Sequence, residues 1–150
     1  MTLNVKRILA AVDFSETSDK AFDYALSFAR VFEAEVVALY VLDDPFLYAS
    51  YTDQSFRDPL ERSVQTQLDS LVNRHGSEGV TVKPAKIPGT PFYEIIQYAE
   101  REHCDLIVLG SHGHGPMKHM LLGSVAEKVV RKAKCPVLVV RPDQHQFVRP

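Results

Sequence analysis

The stretch of this chain richest in chemistry is Gly110-Ser111-His112-Gly113, followed after nine residues by Gly123-Ser124. It follows a short apolar run and leads into an amphipathic one. Glycine lets a backbone approach a ligand closely, and the free amides at a helix start attract anions. The spacing therefore describes a phosphate-binding loop. It is not a Walker A loop, because no Gly-Lys-Ser/Thr occurs. Nor is it the dinucleotide fingerprint, which would follow the first strand, where Asp13-Phe14-Ser15 stands. The same residues also fit a plainer role, with the glycines making a tight turn and Ser124 capping its helix.

Other reactive side chains form no recognisable constellation. His112, His114 and His119 have no cysteine close in sequence, and structural zinc wants four tightly spaced ligands. They read as loop histidines near a phosphate site. Ser111-His112 is not a nucleophile elbow. Cys104 and Cys135 are too few for a disulfide framework and form no CxxC pair, so a reducing compartment and packing roles are expected.

Alternating strands and helices must position these groups. Nearly continuous apolar runs at Ile8–Val12, Val36–Leu42, Val80–Ile87, Leu106–Leu109 and Val137–Val140 suit strands covered on both faces, as in a parallel sheet. Helices fit between them. Ser15 can cap the first. Asp58-Pro59-Leu60-Glu61 resembles a capping box with proline at the first helical position, and Gly76 can end that helix. Thr90-Pro91 opens the third, and Ser124 with Glu127 opens the fourth. Pro84 marks strand three as an edge, and strands one and four are the most apolar. Right-handed crossovers then give an open five-stranded α/β sheet ordered 3-2-1-4-5 with helices on both faces. Ligands in such folds sit beyond the carboxyl ends of the strands where the order reverses. Asp13 and Gly110 would face each other there. The segment Asp43–Arg57, with Phe46, Tyr48, Tyr51 and Phe56, is the one long connection without periodicity, a candidate lid, partner contact or plain surface loop.

The 150 residues are expected to form one domain, with a core over 4–141 and a short tail over 142–150. Seventeen basic against nineteen acidic residues give a net charge of −2, which argues against a phosphate-backbone-binding nucleic-acid protein. The longest apolar run, Val36–Leu42, has seven residues where a membrane span needs about 20. The run after Lys6-Arg7 is too short for a signal h-region. A cytoplasmic protein that meets neither nucleic acid nor membrane is expected.

At this point the chain resembles a known family. Gly110, Gly113, Gly123 and Ser124 match the nucleotide-binding motif of the universal stress proteins: two glycines with two residues between them, nine residues, then Gly-Ser/Thr. Ile8 to Ser15, Gly89-Thr90-Pro91, Cys104 to Gly113, Leu121 to Val129 and Cys135 to Arg141 are similar to that family as well. The resemblance implies the 3-2-1-4-5 sheet and binding of an adenine nucleotide: ATP, ADP or AMP. It implies that Ala11, Val12 and Asp13 hold the adenine and ribose side, Asp13 by accepting from a ribose hydroxyl or adenine amine. Val41 would meet adenine through its backbone. Gly110, Ser111, Gly113, Gly123, Ser124 and Val125 would hold ribose and phosphates. Asp13 also fits a simpler role as the turn residue before Ser15. Where many nucleotide-binding members carry Arg-Ser/Thr-Gly, this chain has His114-Gly115-Pro116. The arginine is absent, and Lys118 and His119 are nearby sources of positive charge, so the choice among the three nucleotides stays open. Mg²⁺ can accompany the nucleotide on phosphate oxygens and water.

The resemblance implies a regulatory protein of the stress response, acting through nucleotide-dependent conformation or partner binding. The rivals are a slow ATPase or phosphotransferase and a nucleotide-free interaction module. Val137, Leu138, Val139 and Val140 form an uninterrupted apolar edge strand, an aggregation liability unless paired. An isologous homodimer through that edge is expected, as is common among universal stress proteins.

Overall fold

The computed structural model describes residues 1–43, 54–75, 79–114 and 122–143. The elements run β1 (Arg7–Ala11), α1 (Glu16–Phe32), β2 (Glu35–Leu42), α2 (Gln54–His75), β3 (Val82–Pro88), α3 (Pro91–Arg101), β4 (Leu106–Gly110), α4 (Ser124–Lys132) and β5 (Val137–Val140). All pairings are parallel and the strand order is β3-β2-β1-β4-β5, as the apolar runs and Pro84 require.

The sheet divides the core into two layers by the period-two alternation of its strands. Ile8, Ala10, Val36, Ala38 and Val108 face α1 and α2, where Phe22, Leu26, Val64, Leu68 and Leu71 cover them. Leu9, Val37, Leu39, Ile107 and Leu109 face α3 and α4, meeting Ile95, Ile96, Ala99, Ala126 and Val129. Phe22 is wholly buried, and truncating it to alanine would cost about 3–5 kcal/mol.

The two edges differ. The Val36 N–H donates to Thr81 O at 2.9 Å, so odd-numbered residues of β3 turn their backbone groups toward β2. Val82, Pro84, Lys86 and Pro88 turn theirs outward, and Pro84 therefore costs the ladder no hydrogen bond. On β5, Pro136 O and Val140 O accept from Ile107 and Ser111 of the β4 side, which turns Val137 and Val139 outward.

Two helix starts depart from the sequence expectation. Helix α2 begins at Gln54, not at Asp58, and Pro59 lies inside it. The missing proline N–H removes one bond, to the Ser55 carbonyl, close to an end where a helix has fewest to lose. Helix α4 is capped by Gly123, with Ser124 as its first helical residue. Glu127 does not complete a capping box; its carboxylate pairs with Arg131 at 2.8 Å. Strand β3 starts at Val82 rather than Val80. Of the Asp43–Arg57 connection, residues 44–53 lie outside the described residues, as do Gly76, Pro116, Lys118 and His119.

Candidate functional site

The turn after β1 is built from short polar side chains. Asp13 Oδ1 accepts from the Ser15 N–H at 2.9 Å and from Ser15 Oγ at 2.5 Å. Ser15 Oγ in turn accepts from the Ser18 N–H, the N-cap bond of α1, at 3.2 Å. The Asp13 N–H donates to Ser18 Oγ at 3.0 Å. This tight closure holds Phe14 in the left-handed region at φ 63°, a conformation that costs about 1–3 kcal/mol for a side chain of this kind. Phe14 stacks on Tyr40 with ring centroids 4.9 Å apart. Burial, and then the charges of Asp13 and Asp43, push the Tyr40 hydroxyl above the usual tyrosine range. Asp13 is thus the turn residue of the simpler reading, through one carboxylate oxygen.

Its other oxygen faces the glycine loop: a Cβ on Gly113 would collide with Asp13 Oδ2. A Cβ on Gly110 would sit 2.9 Å from Thr17 Cγ2, so this glycine lets the first turn of α1 lie against the end of β4. The Gly123 N–H donates to Ser111 O at 2.6 Å, and a Cβ there would stand 2.9 Å from the same oxygen. Ser111 is wholly buried, its N–H donates to Val140 O at 2.8 Å, and its hydroxyl bonds His112 Nδ1 at 2.8 Å. His114 crosses the gap, its Nε2 lying 2.6 Å from Asp13 O. The glycines of the motif therefore serve close approach of the chain to itself.

These parts enclose a cleft of about 450 Å³ beyond the carboxyl ends of β1 and β4, where the strand order reverses. Ala11, Val12, Asp13, Val41, Gly110, Ser111, Gly113, Gly123, Ser124 and Val125 all line it. So do Ser18, Leu39, Asp43, Pro91, Ile95 and Ala126, none of which the sequence marked as a nucleotide-contacting residue. Asp43 was within reach of the switch-point rule, since it directly follows β2 at the same end. Pro91 and Ile95 enter because α3 packs against α4, which no local pattern reveals. The amides of Ser124, Val125 and Ala126 belong to the first turn of α4, and Gly123 brings no side chain to cap them. The wall is mixed: apolar on the β1, β2 and α3 side, polar around the glycine loop. Its described residues include two carboxylates, two histidines and no lysine or arginine.

A larger hollow, about 580 Å³, opens at the opposite end of the sheet. Size does not make it the better site, because its charged groups serve one another. Asp105 Oδ2 accepts from the Lys6 and Arg7 amides at 2.8 and 2.9 Å. Glu35 binds Lys83 at 2.8 Å and Arg7 at 2.5 Å, which holds its carboxyl below the usual carboxylate range. Arg7 also donates to Glu102 O at 2.6 Å. Cys104, buried near this end, has its thiol pushed up to about 12 by burial, so it stays protonated and unreactive. Among the described residues no group of three or more His, Cys, Asp or Glu side chains could hold a metal ion. None of their helices is long and apolar enough to cross a membrane.

A parallel sheet of this order, with its cleft at the switch point, defines a doubly wound α/β protein. The chain belongs to the universal stress protein family, whose model matches residues 4–141. Universal stress protein MJ0531 of Methanocaldococcus jannaschii is 37% identical over 139 residues, spanning 91% of this chain and 82% of that protein. The solved structure of MJ0577, from the same organism, is 32% identical and superposes with a TM-score of 0.85 over 95% of this chain and all of that one. A universal stress protein from Archaeoglobus fulgidus in complex with dAMP, 23% identical, covers 92% of this chain and 99% of that one with a TM-score of 0.69; it shares the fold.

Proposed function

We propose that this chain is an adenine-nucleotide-binding regulatory protein of the stress response, working through nucleotide-dependent conformation or partner binding. The observation that carries the reading is the convergence of the whole glycine motif, Asp13 and Val41 on one cleft that also contains the first turn of α4. In this reading the uncapped amides of Ser124 and Val125, with the helix dipole, receive a phosphate. The free oxygen of Asp13 accepts from ribose or adenine. The apolar wall of Leu39, Val41 and Ile95 takes the base. The dAMP held by the Archaeoglobus fulgidus protein is a property of that protein, with which this chain shares the fold.

Mg²⁺ enters only with the phosphate chain, since the cleft's carboxylates are Asp13, half engaged by Ser15, and Asp43. A phosphotransferase would need charge clamps on the transferring group, and the described lining supplies no fixed cation. The working unit in this reading is a homodimer joined along β5, whose Val137 and Val139 direct their backbone groups outward. Placement in the cytoplasm belongs to the same reading.

The test is direct. The purified protein is denatured and any released nucleotide identified, and the stripped protein is titrated calorimetrically with ATP, ADP and AMP. Retained nucleotide, or saturable binding of one of the three, is expected. No retained nucleotide and no heat with any of them refutes the reading.

A further inference from the structure

The cleft wall is acidic for a site that receives phosphate. Asp13 and Asp43 give it two formal negative charges, and the titratable cations of its described lining are His112 and His114. His114 is the one that bridges the two sides of the cleft. Its Nε2 lies 2.6 Å from the Asp13 carbonyl oxygen, and a carbonyl can only accept. Nε2 therefore carries a hydrogen in both protonation states of the ring, and the bridge survives a change of state. Uptake of a proton takes place at Nδ1. It adds one positive charge to the wall without releasing the glycine loop from the β1–α1 turn.

We propose, resting on the nucleotide reading above, that His114 is a specificity-determining residue: it fixes the glycine loop against Asp13 and, when protonated, tightens the grip of the cleft on phosphate-bearing ligands in particular. The charged and polar groups that share the described cleft lining with His114 are the Asp13 carboxylate from the β1–α1 turn, Asp43 from the end of β2, His112 from its own loop and the first turn of α4. Imidazole is the side-chain group whose charge ordinarily changes between about pH 5 and 8, and the test is made across that range. A ligand without phosphate has no charge to answer the imidazolium. Adenosine is therefore the internal reference, and discrimination between AMP and adenosine is the quantity that His114 sets.

The experiment measures AMP and adenosine affinities of the wild type, His114→Gln and His112→Gln by calorimetry at pH 8.0, 7.0 and 6.0. Glutamine can still donate to the Asp13 carbonyl but cannot take a charge. Comparing variants at each pH cancels the titration of the nucleotide itself. Lowering the pH should tighten AMP binding to the wild type by about two- to fivefold more than to His114→Gln, the scale of one exposed ion pair. Adenosine should show no such difference; an excess that is lost in His112→Gln but kept in His114→Gln assigns the charge to His112 and overturns the proposal. Equal pH dependence of AMP binding in the wild type and His114→Gln overturns the proposal while leaving the nucleotide reading intact. The same excess for adenosine also overturns it, by showing a conformational rather than a charge effect. Failure of the wild type to bind either ligand at any pH overturns both.

Discussion

Replacing Gly123 with alanine adds one methyl group where the structure has least room for it. The new carbon would stand 2.9 Å from Ser111 O and 3.4 Å from His112 Cα, both backbone atoms. Ser111 cannot yield easily, because it is wholly buried and its N–H is tied to Val140 O at 2.8 Å. The loop must open instead, stretching the 2.6 Å bond from the Gly123 N–H to Ser111 O. Overpacking of this kind costs about 1–3 kcal/mol, and the weakened hydrogen bond overlaps with that figure at about 1 kcal/mol. Reduced freedom of the unfolded chain returns about 0.4–1 kcal/mol. The net destabilisation is about 0–2.6 kcal/mol, which for a chain of this size lowers Tm by up to roughly 10 °C. Because the same movement carries the α4 first turn away from Gly113, nucleotide affinity should fall by more than about tenfold, the scale of one lost charge-assisted hydrogen bond. Gly79→Ala is the control. It sits at φ +76° with nothing near its added carbon, so it pays about 1 kcal/mol of backbone strain far from the cleft. Circular dichroism melts and calorimetric titration with AMP measure both variants. A Gly123→Ala protein with unchanged Tm and unchanged affinity refutes the reasoning, as does a loss of affinity in Gly79→Ala equal to that in Gly123→Ala.

Asp13→Asn keeps an oxygen for the Ser15 amide but loses the charge, and should weaken nucleotide binding by about 1–2 kcal/mol with Tm nearly unchanged. Asp13→Ala should lose stability as well; wild-type affinity in Asp13→Asn would remove Asp13 from the ligand site. Val139→Pro deletes an outward N–H of β5 without touching the β4 ladder, and light scattering should show a monomer where the wild type is a dimer. A monomeric wild type, or a dimeric variant, removes the edge from the interface. Glu35 is held below its ordinary value of 4.5 by Lys83 and then Arg7. Its contribution to stability is therefore present above pH 4.5 and lost as the pH falls through the lower folded-state value. Urea midpoints between pH 6 and 3 should drop less steeply for Glu35→Gln than for the wild type, and parallel curves would show that the carboxylate carries no such weight.

The strands were legible because their signal is physical and local. Ile8, Ala10 and Leu9 are apolar on both faces of the sheet, and Val137–Val140 was bounded correctly by Pro136 and Arg141. The helix starts were harder, because the same residue types fit neighbouring registers. Ser124 and Glu127 have the spacing of a capping box, yet the cap falls on Gly123, the residue without a Cβ that fits against Ser111 O. Asp58-Pro59 has the composition of a helix start, yet α2 begins one turn earlier. The motif located the cleft, but the reason for its glycines was not visible in the spacing. Gly110 makes room for Thr17, and Gly113 makes room for Asp13, contacts across about a hundred residues of sequence. The bridge from His114 to Asp13 O was equally hidden, since neither residue's neighbours announce the other.

The outward row of β3 reads Val82, Pro84, Lys86, Pro88, so every second donor that an incoming strand would need is missing. A sheet with two usable edges can grow end on end into a filament. One with a single usable edge stops when two copies have met, whatever their concentration. Two prolines on one strand thus limit β-addition at this edge, and restoring both N–H groups would remove that limit from a sheet whose other edge, β5, turns the backbone groups of Val137 and Val139 outward.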